Sequence, residues 1–341
     1  MKRTILTSII ILLTTGQFFG QTVKLTKTEK EQVINSLVEK LNDNYIFLDI
    51  AQKASKNIKA LEKKGSYAPI NEPAKLAKLL TEQLREVVHD KHLNLWYSPQ
   101  KPLASTSPQV QEESFMRQMK RVNLGLPKID ILEGNIGYLK IEGFGPVNKV
   151  GETCSGAMMF LANTDALIID LRNNQGGEPD LVQYLASYFF DDRPVLINSL
   201  YYRKKNKTDE YWTVPVKGSK YIGKPVFILI NKTTFSAGEE LAYDLKTQQK
   251  AVLVGETTGG GANDGEVFEL GNGFFAFIPT GKAINPITNA NWEGTGVEPD
   301  IAVSATKALT TAHQMALKAV MEKMPEQEKP FYAKALANIK E

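Results

Sequence analysis

Pro225-Val-Phe-Ile-Leu-Ile-Asn-Lys-Thr-Thr-Phe-Ser236-Ala-Gly-Glu-Glu240 runs from an apolar stretch of strand length into a polar turn, and a serine stands where a helix begins. That placement lifts a hydroxyl out of the packed core. It also sets the serine beside the unpaired N–H groups of a helix start, which can hold an oxyanion. The chemistry on offer is nucleophilic attack on a carbonyl. The structural alternative is a capping box, because Glu239 follows Ser236 by three residues. Thr234 and Gly238 flank the serine, so a nucleophile elbow with glycine on both sides is incomplete.

A serine nucleophile needs a group to accept its proton. The chain has three histidines, His89, His92 and His313. His313 falls in a late helical pattern among Lys and Thr neighbours and reads as a surface residue. His89 and His92 are three apart and follow a helix. A zinc site at that spacing would need further ligands, and no cysteine pair or third nearby histidine supplies them. His92 begins an apolar strand that would hold its ring, whereas His89 sits at a helix end where capping is role enough. The acid that would orient the histidine is open between two residues. Glu293 lies in the turn-rich Asn291-Trp-Glu-Gly-Thr-Gly-Val-Glu-Pro-Asp300, and Glu256 in the loop after a strand.

Gly176 and Gly177 follow a strand end, where they serve a tight turn or present a bare N–H to a developing oxyanion. Gly259 to Gly261 lack the lysine and Ser/Thr of a phosphate loop, so a nucleotide site is not expected. Cys154, the single cysteine, lies in the helically spaced set Val147, Val150, Cys154, Ala157, Met158, Leu161. It reads as a buried structural thiol, and a single cysteine forms no internal disulfide.

The elements that must position these residues follow from periodicity. Thr28 with Glu31 reads as a capping box opening a helix with Val33, Leu37 and Leu41 on one face. Leu76, Leu79, Leu80, Leu84 and Val87 mark a second amphipathic helix, followed by the strand Leu93 to Tyr97. Residues 98 to 112 are rich in Pro, Ser and Gln and read as a loop or linker. From about Gly134 strands alternate with helices. Strands are expected at 135–141, 166–169, 226–230, 251–254 and 274–279, and helices at 147–163, 181–190, after Ser236 and at 307–324. That alternation argues for an α/β core. Three strand ends carry polar or glycine-rich loops, 170–177, 231–238 and 255–261. In open α/β sheets sites gather beyond the carboxyl ends of strands, so the three loops point to one cleft.

The 341 residues suffice for one large or two ordinary domains, 42% apolar content supports a real core, and 23% charge is ordinary for a soluble protein. The net charge is +3 with no basic block, so no nucleic-acid partner is expected. Lys2 and Arg3 precede an apolar run, Ile5 to Leu13, then small residues and Phe18-Phe19-Gly20, which reads as a secretory signal peptide over residues 1–20. The run is too short to span a membrane. Cleavage near Gly20 leaves a mature charge of +1, and no cysteine stands there to carry a lipid anchor.

Four segments together resemble the S41 family of serine peptidases, the tail-specific or C-terminal processing proteases. They are Asp170-Leu-Arg-Asn-Asn-Gln-Gly-Gly177, Thr234-Phe-Ser-Ala-Gly-Glu-Glu240, Val254-Gly-Glu-Thr-Thr-Gly-Gly260 and Gly296-Val-Glu-Pro-Asp-Ile301, in the family's order over about 130 residues. One branch of the family pairs its serine with a lysine in the loop after Gly-Glu-Thr. Here that loop reads Thr258-Gly-Gly-Gly-Ala-Asn263 and has no lysine. The chain is more similar to the branch of tricorn core protease and interphotoreceptor retinoid-binding protein, whose Asp-x-His segment matches Asp90-Lys-His92. That branch's acid stands just before the Gly-Val-x-Pro-Asp motif, at Glu293. It also has a serine just before its histidine, where this chain has Lys91.

The resemblance implies an α/β fold of ClpP/crotonase-like type, a mixed sheet with flanking helices. The expected organisation is a signal peptide at 1–20, a small helical domain at 21–97, a linker at 98–133, a catalytic core at 134–305 and a C-terminal helix at 306–341. Residues 98 to 134 are too few for the PDZ domain common in the processing proteases. The implied activity is an exported, periplasmic or secreted, serine peptidase acting on peptides or proteins, with no cofactor or metal. Ser236 would attack, His92 shuttle the proton and Glu293 hold the imidazole, with Ala237 and Gly177 or Gly176 at the oxyanion. The alternatives are a ligand carrier like the retinoid-binding relatives, and an esterase on a non-peptide substrate.

Overall fold

A computed structural model describes residues 24–99 and 116–339. The signal-peptide segment and much of the 98–112 loop lie outside the described residues. In chain order the helices are α1 (Lys27–Asn44), α2 (Leu48–Lys63), α3 (Pro73–Val88), α4 (Val147–Leu161), α5 (Pro179–Ala186), α6 (Ala237–Thr247), α7 (Ala308–Lys323) and α8 (Lys329–Asn338). The strands are β1 (Asn94–Tyr97), β2 (Lys128–Leu132), β3 (Ile136–Lys140), β4 (Ala166–Asp170), β5 (Leu196–Tyr202), β6 (Lys207–Trp212), β7 (Val226–Ile230), β8 (Val252–Gly255), β9 (Gly265–Gly271), β10 (Phe274–Pro279), β11 (Gly281–Ile284) and β12 (Ile301–Ala302). They fall into two compact units.

The first unit takes residues 24–99, Leu200–Asp209 and Asn263–Ala283. Three helices pack on an antiparallel sheet of order β1-β10-β9. Val33, Leu37 and Leu41 form the buried face of α1, as their spacing predicts. The cap of α1 lies one turn portion earlier than expected. Thr26, not Thr28, accepts the Glu29 N–H, and the Glu29 carboxylate accepts the Thr26 N–H at 2.7 Å. Both pairs satisfy the motif, and the earlier start lets the chain bury Leu25. The sheet buries Leu95, Phe274, Ala276 and Ile278 against the helices. Residues 263–283, expected in the catalytic core, therefore cluster with the N-terminal helices.

The second unit is built on a six-stranded sheet of order β12-β8-β7-β4-β3-β2. β3, β4, β7, β8 and β12 run parallel, and β2 is an antiparallel edge, so the sheet is mixed. β4 and β7 are buried at every residue, which explains the unbroken apolar runs 166–169 and 226–230. One face holds Ile136, Tyr138, Ile168, Phe227 and Leu229 against Ala312, Ala316 and Leu317 of α7. The C-terminal stretch thus carries two helices, α7 and α8, whose buried residues join that face. On the other face α4 meets β3 and α6 meets β8. The register sets Asp170 beside Leu229 and Ile230 beside Gly255, so β4, β7 and β8 end at one edge. Cys154 is buried in α4, and burial pushes its thiol up to about 12, an inert group at neutral pH.

Candidate functional site

Ser236 sits at the turn between β7 and α6 with φ 53° and ψ −125°. A side chain in that conformation is strained, and such strain persists only where surrounding bonds over-determine it. The Ser236 N–H donates to the Glu239 carboxylate at 2.9 Å, and the Glu239 N–H reaches the Ser236 carbonyl at 2.8 Å. The expected capping box is present. Two residues earlier, the buried Thr234 hydroxyl donates to the Leu171 carbonyl at 2.9 Å and anchors the turn to the end of β4.

Glu239 does far more than cap. Its fully buried carboxylate also accepts the Thr258 hydroxyl at 2.5 Å and the N–H groups of Gly260 and Gly261 at 2.6 and 2.8 Å. Burial raises its pKa and the four donors pull the other way. One carboxylate therefore ties the serine turn to the loop after β8.

The loop after β4 packs on the same turn. Asn174, fully buried, accepts the Gly176 N–H at 2.7 Å, donates to the Ile141 carbonyl at 3.0 Å, and offers its own carbonyl to Phe235 N–H at 2.9 Å. Gly176 has φ 95°, and a Cβ there would lie 2.6 Å from Ser236 Cβ and 3.0 Å from the Ala237 nitrogen. Gly177 has φ 137°, and its Cβ would strike the Phe144 carbonyl oxygen at 2.0 Å. Only glycine fits either position. The structure thus brings Ser236, Ala237 and Gly176 together. The Gly176 N–H is committed to Asn174, so Gly176 contributes room beside the hydroxyl. Among the described residues neither the Gly177 N–H nor the Ala237 N–H is given to another protein group.

Glu293 is placed on the same scaffold. Its carboxylate accepts the Ala262 N–H at 2.6 Å, next to the glycines that Glu239 holds. The Trp292 indole donates to the Gly261 carbonyl at 2.8 Å, and the Gly294 N–H donates to the Gly260 carbonyl at 3.1 Å. Glu256, the other acid left open by the sequence, lines a surface cavity of about 610 Å³ with Thr257, Glu298 and Ser304. A pocket of about 270 Å³ lies at the ends of β3 and β4, where Asp170 accepts from Tyr138 and is forked by Arg172.

His92 belongs to the first unit. It follows the left-handed C-cap of α3 at His89, the capping role expected for that residue, and precedes β1. Its ring lies 6.0 Å from that of Phe277 at 32°. Burial is the main force on its acidity. It lowers the pKa to about 4, with Asp90 opposing and Arg85 assisting. The imidazole is therefore neutral at pH 7 and able to take a proton. His313 is a surface-side residue of α7, its Nε2 2.8 Å from the Glu133 carbonyl oxygen.

Sequence reasoning missed Asn174, Thr258 and the span of Glu239. An Asn before Gln-Gly-Gly is the one signal available for the first, since Asn readily bonds the main chain two residues on.

Two family models match the chain. The model for peptidase family S41 matches residues 135–303, and that for the N-terminal domain of peptidase S41 in eukaryotic interphotoreceptor retinoid-binding protein matches residues 21–124. The carboxyl-terminal-processing peptidase 1, chloroplastic, of Arabidopsis thaliana is 28% identical over 179 residues, 52% of this chain and 36% of that protein. The chain thus spans about a third of the length of that relative. Among solved structures, a lipoprotein from Streptococcus agalactiae matches with TM-score 0.55 and 18% identity, over 86% of this chain and 98% of that one. The photosystem II D1 C-terminal processing protease matches with TM-score 0.51 and 14% identity, over 82% and 94%. These likenesses establish the fold.

Proposed function

The chain belongs to peptidase family S41, and from that premise we propose that it is a serine peptidase in which Ser236, His92 and Glu293 act as nucleophile, base and orienting acid. The observation that carries this reading is the strained Ser236 backbone, held beside a glycine-made space and two N–H groups given to no other group among the described residues. Strain maintained by this many bonds is a feature of reactive side chains rather than of ordinary caps.

In the proposed reaction Ser236 Oγ attacks the carbonyl carbon of a peptide bond and His92 takes the hydroxyl proton. The oxyanion that forms is held by the N–H groups of Ala237 and Gly177. His92 then returns the proton to the leaving amine, and water resolves the acyl-enzyme by the same route. A histidine with its pKa near 4 is a weak base on its own. Stabilising the imidazolium needs a carboxylate, which is the role proposed for Glu293. The substrate class is peptide or protein, by the names of the relatives.

We place this activity outside the cytoplasm, on the pattern of Lys2, Arg3 and the apolar run Ile5 to Leu13. No helix of the described residues is long and apolar enough to cross a membrane.

The test is labelling by a fluorophosphonate probe together with digestion of a peptide library. Ser236→Ala, His92→Ala and Glu293→Ala should each suppress both, the first completely and each by several orders of magnitude in rate. Undiminished peptide cleavage by Ser236→Ala ends the proposal. Cell fractionation with and without residues 2–20 tests export.

A further inference from the structure

We propose that Asp90 is a positioning residue for His92, acting through the main chain that carries the imidazole. The inference rests on the reading of His92 as the base.

Asp90 is 1% exposed, yet it carries a carboxylate. Its Oδ1 accepts the His92 N–H at 2.9 Å, closing a turn of the kind an Asp makes with the residue two ahead. Its Oδ2 accepts the Asn263 side-chain amide at 2.9 Å and the Tyr45 hydroxyl at 3.3 Å. Those two donors come from just before β9 and from the C-cap of α1, so the turn is fixed to two other elements of its unit. Arg85, in the last turn of α3, closes the clasp. Its Nε donates to the Leu93 carbonyl at 2.8 Å and a terminal nitrogen to the Lys91 carbonyl at 2.6 Å, one residue on each side of His92. The ring itself stands 4.0 Å from Asp90 Oδ1, beyond a hydrogen bond, so Asp90 holds the backbone rather than the imidazole.

Burying the Asp90 carboxylate beside a strand end is costly unless its bonds are needed. Here one Asp90 oxygen and two Arg85 nitrogens bond residues 91 to 93, while the other Asp90 oxygen ties that turn to Tyr45 and Asn263. A base must keep its nitrogen within hydrogen-bond reach of the hydroxyl, and a displacement of about 1 Å costs on the order of a hundredfold in rate.

The test uses the full chain and a fluorophosphonate probe. In Asp90→Asn the new side-chain amide faces the Asn263 amide, donor against donor. Its maximal labelling rate should fall on the order of a hundredfold while the probe concentration for half-maximal rate moves less than about twofold. The reciprocal exchange, Asp90→Asn with Asn263→Asp, restores donor to acceptor and should recover at least about tenfold of that loss. The His92 ring, followed by NMR, should titrate lower in Asp90→Asn, because the charge that raises its pKa is gone. Wild-type labelling in Asp90→Asn, or a double variant as slow as the single one, overturns the inference. Full labelling in His92→Ala instead removes the reading beneath it.

Discussion

Glu239 accepts the main-chain N–H of Ser236 at 2.9 Å with the carboxylate that also binds Thr258, Gly260 and Gly261. The helix start, the strained serine and the glycine loop are held by one buried group. Glu239→Gln keeps the size but turns an amide toward two of the N–H donors. Two buried N–H groups then lose their acceptor, at about 1–3 kcal/mol each. Urea unfolding should show a loss of roughly 2–6 kcal/mol, with fluorophosphonate labelling slowed in the fraction that stays folded. A change below about 0.5 kcal/mol would mean that the carboxylate is not the tie described.

Gly176→Ala tests the space beside the hydroxyl. The new methyl lies 2.6 Å from Ser236 Cβ at a backbone φ of 95°. Neither the clash nor the strain is relieved by moving a flexible side chain. Labelling should drop by about a hundredfold or more, and stability by on the order of 1–3 kcal/mol. A Gly176→Ala protein that labels like the parent would place the reactive hydroxyl elsewhere.

Much of the fold was legible because local pattern and environment agree. The runs at 166–169 and 226–230 are apolar throughout since both faces of β4 and β7 are covered. Their polar continuations mark the sheet edge where the loops gather. α2 went unseen because its fully buried face is mostly small residues, Ala51, Ala54 and Ser55, with Ile58, while the larger Ile50 and Leu61 are only partly covered. The membership of residues 263–283 was hidden for a different reason. β1 pairs with β10 across about 180 residues, and no local pattern records a partner so distant. At the site, Ser236, Gly176 and Glu293 stand in recognisable turns. Asn174 and Thr258 acquire their roles only through bonds to segments far along the chain.

The depressed pKa of His92 makes a pH prediction with a definite sign. Its folded-state value, about 4, lies below the usual 6.5. Above pH 6.5 the ring is neutral in both states and its contribution to stability is fully present. As pH falls below 6.5 the unfolded chain takes up a proton first, and stability is lost until the folded ring titrates near 4. Glu239 and Asp244, whose pKa values burial raises, act in the opposite sense over their own ranges. The measurement is therefore a comparison of urea midpoints for the parent and His92→Gln from pH 8 to 4. The variant should lose less stability between pH 6.5 and 4. In the proposed mechanism the labelling rate should also hold down to about pH 5 and fall with a midpoint near 4. A midpoint between 6 and 7 would contradict a buried base.

The strain at Ser236 separates function from stability in a way that two substitutions can read. Ser236→Ala removes the hydroxyl but keeps a Cβ at φ 53°, so the strain stays. Ser236→Gly removes both, and glycine adopts a positive φ without steric cost. Both variants should be inert toward the fluorophosphonate. Relief of strain is on the order of 1–3 kcal/mol, against about 0.5–1 kcal/mol for the greater freedom of glycine in the unfolded chain. Ser236→Gly should therefore be the more stable of the two by up to about 2.5 kcal/mol, seen as a higher urea midpoint at unchanged slope. A Ser236→Gly protein less stable than Ser236→Ala by about 0.5–1 kcal/mol would show that the serine turn stores no strain, and Ser236 would then be an ordinary cap.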